Sequence, residues 1–240
     1  MTRHFIDSLS SRSESQLSTC LDIAYHLGFS EIWISNPSKI GKNVSKQFSS
    51  RLRIYERLDI GSTKESKAEI ISILRQRRRK IPIIAITCLT PELTAWAAQD
   101  NRVDILKFPV FQTGKLMTRS IAKLMVKFDK HLEIPLAHLY SLAEHQQISV
   151  IRQIRAALEN AIRKKVPILF TSGSSRADQM RSPRELASLG QMLLSESILP
   201  LDSLSIIPQR LLQQNLIKIT PNYLAPGVFK VPLPSQQEEE

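Results

Sequence analysis

The chain is poor in the residues that build metal centres, disulfide scaffolds and base-stacking platforms. Its two cysteines, Cys20 and Cys88, lie in apolar surroundings without CxxC spacing, which points to buried packing rather than a disulfide framework or a zinc knuckle. The five histidines (His4, His26, His131, His138 and His145) are scattered, with no H-x-H or HExxH pair to seed a metal site. Aromatic residues make up 6%, too few for a surface on which successive bases stack. No segment approaches the ~18 consecutive apolar residues that cross a bilayer. The start, MTRHFIDSLSS, has no apolar core of signal-peptide length. A soluble, cytoplasmic protein without a membrane partner is expected.

What is abundant is positive charge. Thirty-three Lys and Arg stand against 22 Asp and Glu, a formal net charge of +11. Part of the acid sits in Glu238, Glu239 and Glu240, so the rest of the chain is more basic than the total. Such a field draws polyanions and speeds their encounter. With few aromatics, it suits contact with phosphate backbones better than reading of bases. A hydrophobic content of 42% over 240 residues is enough for a folded core of α/β-barrel size.

Strand-like and helix-like stretches alternate almost throughout. Strands are expected at Phe5 to Leu9, Glu31 to Ser35, Arg51 to Ile60, Pro82 to Leu89, Val103 to Phe108, Leu132 to Ala137 and Val166 to Phe170. Helices are expected at Glu14 to Leu27, Ser62 to Lys80 (Ser62 and Glu65 forming a capping box), Pro91 to Gln99, Leu116 to Phe128, Gln146 to Lys165, Ser182 to Leu194 and Asp202 to Asn215. The stretch Asn36 to Ser49 reads as a polar loop. In the helix Gln146 to Lys165, the stripe Ile148, Ile151, Ile154, Leu158 and Ala161 or Ile162 should face the core. Strands joined by helical crossovers imply a parallel sheet. Seven or so such units in about 215 residues fit a single (β/α) barrel domain over residues 1–217. The proline-rich end, residues 218–240, reads as a poorly ordered tail.

The densest local signal runs from Leu169 to Gly190. A core strand ends in Thr171-Ser172-Gly173-Ser174-Ser175, a small-residue loop able to turn sharply. A helix then opens on Ser182, Pro183 and Glu185, a cap, a first-position proline and a capping-box partner. Arg176, Arg181 and Arg184 surround that start, where unpaired backbone N–H groups favour an anion. The same features also describe an ordinary strand-to-helix connection with solvated arginines.

The pattern S-G-x-x-x-x-x-x-M-R-S-P-R-E-L-A-S-L-G, from Ser172 to Gly190, resembles the signature of the archaeal RNase P protein component 3 family, the counterpart of the thirty-kilodalton subunit of eukaryotic RNase P and MRP. Leu132-Glu133-Ile134-Pro135-Leu136-Ala137 is similar to a second family strand. Asp7 and Leu27-Gly28-Phe29 match the start, so that the likeness spans about Phe5 to Asn215. The chain departs from the family pattern at His138, which stands where a proline follows that strand. The resemblance implies a distorted TIM-like barrel related to the PHP hydrolases. It also implies an RNase P subunit whose partners are the RNase P RNA, precursor tRNA and a small RRM-like protein in a heterotetramer. Catalysis, with its Mg²⁺, would belong to the RNA, and this chain would bind no cofactor.

The residues themselves agree that catalysis is absent. PHP enzymes place an H-x-H pair after the first strand, where this chain has Leu9 and Ser11, and no other ligand cluster makes good the loss. Ser172 to Ser175 lacks both the G-x-S-x-G frame and the G-K-[ST] ending. The alternative, a metal-dependent barrel phosphoesterase, would need ligands the sequence does not offer; a general RNA chaperone is a weaker alternative. Candidate RNA contacts are Lys107, Arg176, Arg181 and Arg184, expected at the C-terminal ends of the strands. Arg75, Arg77, Arg78 and Arg79 form a second group at the opposite end. Helix-dipole stabilisation accounts for one or two cations in that run, not for all.

Overall fold

The computed structural model describes residues 3–10, 13–37, 39–61, 66–194, 200–225 and 227–230. In chain order the elements are β1 (Ile6–Leu9), α1 (Glu14–His26), β2 (Glu31–Ser35), α2 (Lys39–Gln47), β3 (Arg53–Ile60), α3 (Lys67–Arg77), β4 (Ile83–Thr87) and α4 (Pro91–Gln99). There follow β5 (Ile105–Lys107), α5 (Thr113–Leu116), α6 (Arg119–Lys127), β6 (His131–Pro135), α7 (Ala137–Ser141), α8 (Glu144–Lys164) and β7 (Ile168–Thr171). The chain ends with α9 (Pro183–Leu193), α10 (Ile206–Lys218) and a hairpin, β8 (Tyr223–Ala225) and β9 (Val228–Phe229).

The first seven strands form one parallel sheet in the order of the sequence. The sheet curls until β1 meets β7, where a single bridge joins Leu9 to Ser174 and Ser10 N–H donates to the Ser174 carbonyl at 2.9 Å. This is the expected single-domain (β/α) barrel, with seven strands instead of eight and one short seam.

Two apolar cores follow from the alternation of side chains along each strand. Residues pointing outward meet the surrounding helices in the larger core, among them Leu9, Ile32, Ile84, Leu106 and Phe170. Residues pointing inward form a second cluster: Ile6, Trp33, Ile83, Ala85, Ile105 and Leu169. Leu211 and Leu212 of α10 belong to this inner cluster. Helix α10 therefore plugs the end of the barrel at which the strands begin.

Several boundaries depart from expectation. Asn36 to Ser49 holds a helix, α2, with Val44 buried; its lysines and glycine concealed the periodicity. Helix α3 starts at Lys67, capped by Ser66 with Glu69, whereas Ser62 and Glu65 lie outside the described residues. The helix expected at Leu116 to Phe128 is two, because the chain breaks at Met117 and restarts on a Thr118 cap. Ala137–Ser141, following β6, forms a short helix not anticipated. Asp202–Leu204 is a 3-10 turn separate from α10. Ile148, expected in the core, is 58% exposed, and Val150 takes its place with Ile154, Ala157 and Leu158. Of the expected tail, Lys218 completes α10, and Tyr223–Ala225 pairs with Val228–Phe229, while residues 226 and 231–240 lie outside the described residues.

Candidate functional site

The ends of the strands converge on a cavity of about 1080 Å³ at the C-terminal mouth of the barrel, where barrel enzymes place their chemistry. Lys107, at the end of β5, and Arg176, in the loop after β7, both line it. Its floor is a closed network of charges. The fully buried Arg57 of β3 forms a two-pronged ion pair with Glu133 of β6 and donates through Nε to Asp59 Oδ1 at 3.0 Å. Arg57 Nη1 also donates to Ser8 Oγ at 3.1 Å, and Thr171 Oγ1 donates to Glu133 at 2.8 Å. Lys107 Nζ lies 3.7 Å from Asp59. Burial alone would raise the Asp59 carboxyl, but Arg57 and Lys107 together hold it below the ordinary carboxylate range.

Two cations and two carboxylates thus neutralise one another inside the lumen. Asp59, Glu133 and Ser8 converge there, but a guanidinium occupies the space between them. Asp7, the remaining acid of β1, turns to the other face of the sheet. It accepts from Ser172 N at 2.7 Å, Ser172 Oγ at 2.6 Å and Ser8 N at 2.8 Å, and so ties the β1–β7 seam. Burial pushes its carboxyl up to about 6. Among the described residues no group of three or more His, Cys, Asp or Glu side chains is placed to hold a metal ion.

The loop after β7 is built to be rigid. Gly173 has φ +62°, and a Cβ there would come within 2.6 Å of Pro135 Cβ, so only glycine fits. The loop hydroxyls face inward: Ser174 Oγ donates to the Gln179 carbonyl at 3.0 Å, and Tyr140 Oη donates to the same carbonyl. Arg181 stacks on the Tyr140 ring, 4.5 Å from its centre, while Nη1 donates to the carbonyls of Asp178 and Met180 at 2.9 and 2.7 Å. The start of α9 already has its anion. Glu185 accepts from Ser182 N at 2.7 Å, and Ser182 Oγ accepts from Glu185 N at 3.3 Å.

The expected site residues are therefore divided. Lys107 and Arg176 meet at the mouth, although Arg176 also pairs with Asp178 across an exposed 2.9 Å contact. Arg181 holds the loop, and Arg184 is exposed on the first turn of α9. At the opposite end Arg75, Arg77 and Arg79 are exposed. Arg78 is not like its neighbours. Its guanidinium makes two bonds to Asp104, at 2.7 and 3.0 Å, and a third to Asn215 of α10 at 3.1 Å. The sequence reading missed the central residue, Arg57. Its signal was present: Arg53, Tyr55, Arg57 and Asp59 alternate with Ile54, Glu56, Leu58 and Ile60, a largely polar–apolar pattern that reads as a solvent-facing strand until the strand is placed inside a barrel.

A model described as RNase P subunit p30 matches residues 4–203. A Ribonuclease P protein component 3 from Methanosarcina barkeri is 21% identical over 195 residues, covering 80% of this chain and 81% of its own. A chain in a cryo-EM structure of archaeal Ribonuclease P with mature tRNA superposes with a TM-score of 0.78 at 16% identity, covering 98% of this chain and 100% of that one. A Listeria monocytogenes chain assigned as a histidinol phosphatase shares the barrel more loosely, with a TM-score of 0.53 at 10% identity over 73% of this chain and 97% of its own. With 200 of its 240 residues inside the family model, this barrel belongs to the RNase P subunit p30 family.

Proposed function

We propose that the chain is a non-catalytic protein subunit of RNase P, which assists RNA-catalysed removal of the 5′ leader from precursor tRNA. One observation carries the reading within this family. The floor of the barrel mouth, the place for chemistry in this fold, is the self-neutralising Arg57–Glu133–Asp59–Lys107 network, in which both carboxylates are already paired with cations, and among the described residues no group of acids, histidines or cysteines is placed to hold a metal ion. What remains is a strongly basic exterior on a rigid body. Such a protein screens phosphate repulsion, so that catalytic RNA and substrate fold and approach at lower Mg²⁺.

In this reading the protein works in the cytoplasm alongside a small RRM-like partner subunit in a heterotetramer. Mg²⁺ is held by the RNA. The RNA-facing groups are Lys107 and Arg176 at the mouth, together with Arg181 of the loop after β7 and Arg184 on the first turn of α9, with Arg75, Arg77 and Arg79 in reserve at the other end. Arg78 is set aside because its guanidinium is committed to Asp104 and Asn215.

The test is precursor-tRNA cleavage by the cognate RNase P RNA and small partner at limiting Mg²⁺, with and without this chain. Leader removal should depend on the chain. It should weaken for Arg176→Glu combined with Arg184→Glu, which leaves the Arg181 loop contacts in place. Cleavage indifferent to the chain would refute the subunit assignment.

A further inference from the structure

Helix α6 turns one face to the core and the other to solvent. Its buried side, Ile121, Ala122 and Met125, packs into the core. Its outer side carries Arg119, Lys123 and Lys127, all exposed and four residues apart. None of the three forms an ion pair among the described residues. Residues four apart on a helix are neighbours, so Arg119–Lys123 and Lys123–Lys127 are two repelling pairs. Arg119 also sits at the positive end of the helix dipole, and the first turn holds no acidic residue to offset it. Only Lys127 is explained by its position: it lies in the last turn, with its Nζ 5.4 Å from the centre of the Phe128 ring. Exposed Asp129, just beyond the helix, is the nearest acid in sequence.

Of the helices packed against α6, α4 carries the exposed Glu92 and α8 carries Glu159, which pairs with Arg163, and neither acid forms an ion pair with the row among the described residues. Helix α8 packs against α6, and its Asn160 donates to the Met117 carbonyl at 2.8 Å. Exposed Lys164 and Lys165 end α8, and exposed Lys115 precedes α6. Thr118 could have been followed by a capping-box glutamate; the third position of α6 holds Ile121 instead. A cation row kept against both dipole and mutual repulsion is relieved when a polyanion lies along it.

We propose that the Arg119–Lys123–Lys127 face of α6 is an RNA-backbone contact, separate from the barrel mouth. The inference rests on the RNase P reading for the choice of RNA as the polyanion. At 1.5 Å per residue the row spans about 12 Å, enough to engage about three phosphates of one strand. No exposed aromatic residue lies on the helix, and Val126 is its one exposed large apolar side chain, so the contact reads phosphates and not bases.

The experiment measures binding of the full chain to a precursor-tRNA transcript by fluorescence anisotropy across a salt series. A triple variant, Arg119→Gln, Lys123→Gln and Lys127→Gln, is compared with a control that also removes three exposed cations, Lys46→Gln, Arg51→Gln and Lys67→Gln. Loss of three phosphate contacts should flatten the slope of log affinity against log salt by about two to three, with the control unchanged. The thermal midpoint of the triple variant should stay level or rise, since repulsion has been removed. Equal effects in both variants would show a response to net charge alone and overturn the proposal. A triple variant that binds like wild type, while Arg176→Glu with Arg184→Glu binds weakly, would overturn it and leave the subunit reading standing. Wild-type chain that binds no transcript but binds phosphatidylserine vesicles would overturn both.

Discussion

Arg57 is the residue on which the lumen turns, because a buried cation needs its carboxylates and they need it. Removing one partner of a buried pair leaves an uncompensated charge, which costs about 3–5 kcal/mol. Arg57→Met should therefore destabilise by that order at neutral pH, measured by denaturant unfolding. Its deficit should shrink on acidification, since protonating Asp59, which Arg57 holds below the ordinary carboxylate range, relieves charge that Arg57 no longer balances. Adding Glu133→Leu to Arg57→Met should recover part of the loss. A double variant as unstable as the single would mean that shape, not charge, is what Arg57 supplies. Asp7 tests the same physics with the opposite sign. Its carboxyl titrates at about 6 in the fold against 3.8 when free, so well below pH 3.8 it is neutral in both states and carries no penalty. Between pH 3.8 and 6 the unfolded carboxyl ionises while the folded one stays protonated, and stability falls by a total on the order of 3 kcal/mol that stays lost at higher pH. Asp7→Asn removes that charge and keeps Oδ1 as acceptor for Ser172 N and Ser8 N, while its amide NH2 must donate to Ser172 Oγ in place of accepting from it. Its stability should gain on wild type between pH 4 and 6 and hold the gain above, as a pH series of denaturation midpoints would reveal. Lys107 and Arg176 could be brought to the mouth from sequence alone because strand ends define it. Arg57 and Glu133 could not, since alternation along a strand says which residues share a face but not which face is inside.

At the scale of the element, caps and periodicity wrote most boundaries into the sequence. Ser182, Pro183 and Glu185 start α9 as the residue chemistry demands, and Thr90 with Pro91 does the same for α4. Where the reading failed, the chain supplied a competing signal. A glycine and three lysines concealed α2, and Thr118 offered a cap in the middle of what periodicity alone would read as one helix. The family motif's final glycine has a packing role that propensity would misjudge. Gly190 lies within α9, where alanine would favour the helix by about 1 kcal/mol. A Cβ there would come within 2.8 Å of the Phe170 ring of β7. Overpacking of that kind costs about 1–3 kcal/mol, so Gly190→Ala should lower stability despite the better helix former. A raised thermal midpoint would show that α9 can slide off β7. Helix α6 reverses the logic: each of its like-charge pairs costs a few tenths of a kcal/mol, which is why its neutral variant should fold at least as well as wild type.

The whole molecule depends on a segment beyond the family match. The matched region ends at residue 203, yet the inner core of the barrel is completed by Leu211 and Leu212, only 3% and 2% exposed, from α10. Arg78 fastens that plug from outside, bonding Asp104 at the start of β5 and Asn215 on α10 together. The sequence foretold α10 as a helix near Asp202 to Asn215, but periodicity cannot say that a helix closes the end of a barrel and not one of its sides. Truncating a buried leucine to alanine costs about 2–5 kcal/mol, and a typical domain holds only about 5–15 kcal/mol in all. A chain ending at residue 203 contains every residue of the family match but loses both leucines and the Asn215 anchor, leaving Trp33, Ile83 and Ile105 open to water at the lower end of the lumen. It should show no cooperative unfolding transition by circular dichroism. Leu212→Ala in the full chain should still fold, with its midpoint lowered. If the truncated chain unfolds cooperatively near the wild-type midpoint, the lumen is closed by the strands alone and α10 is a surface helix, with Arg78 held by Asp104 and not needed to fasten a plug.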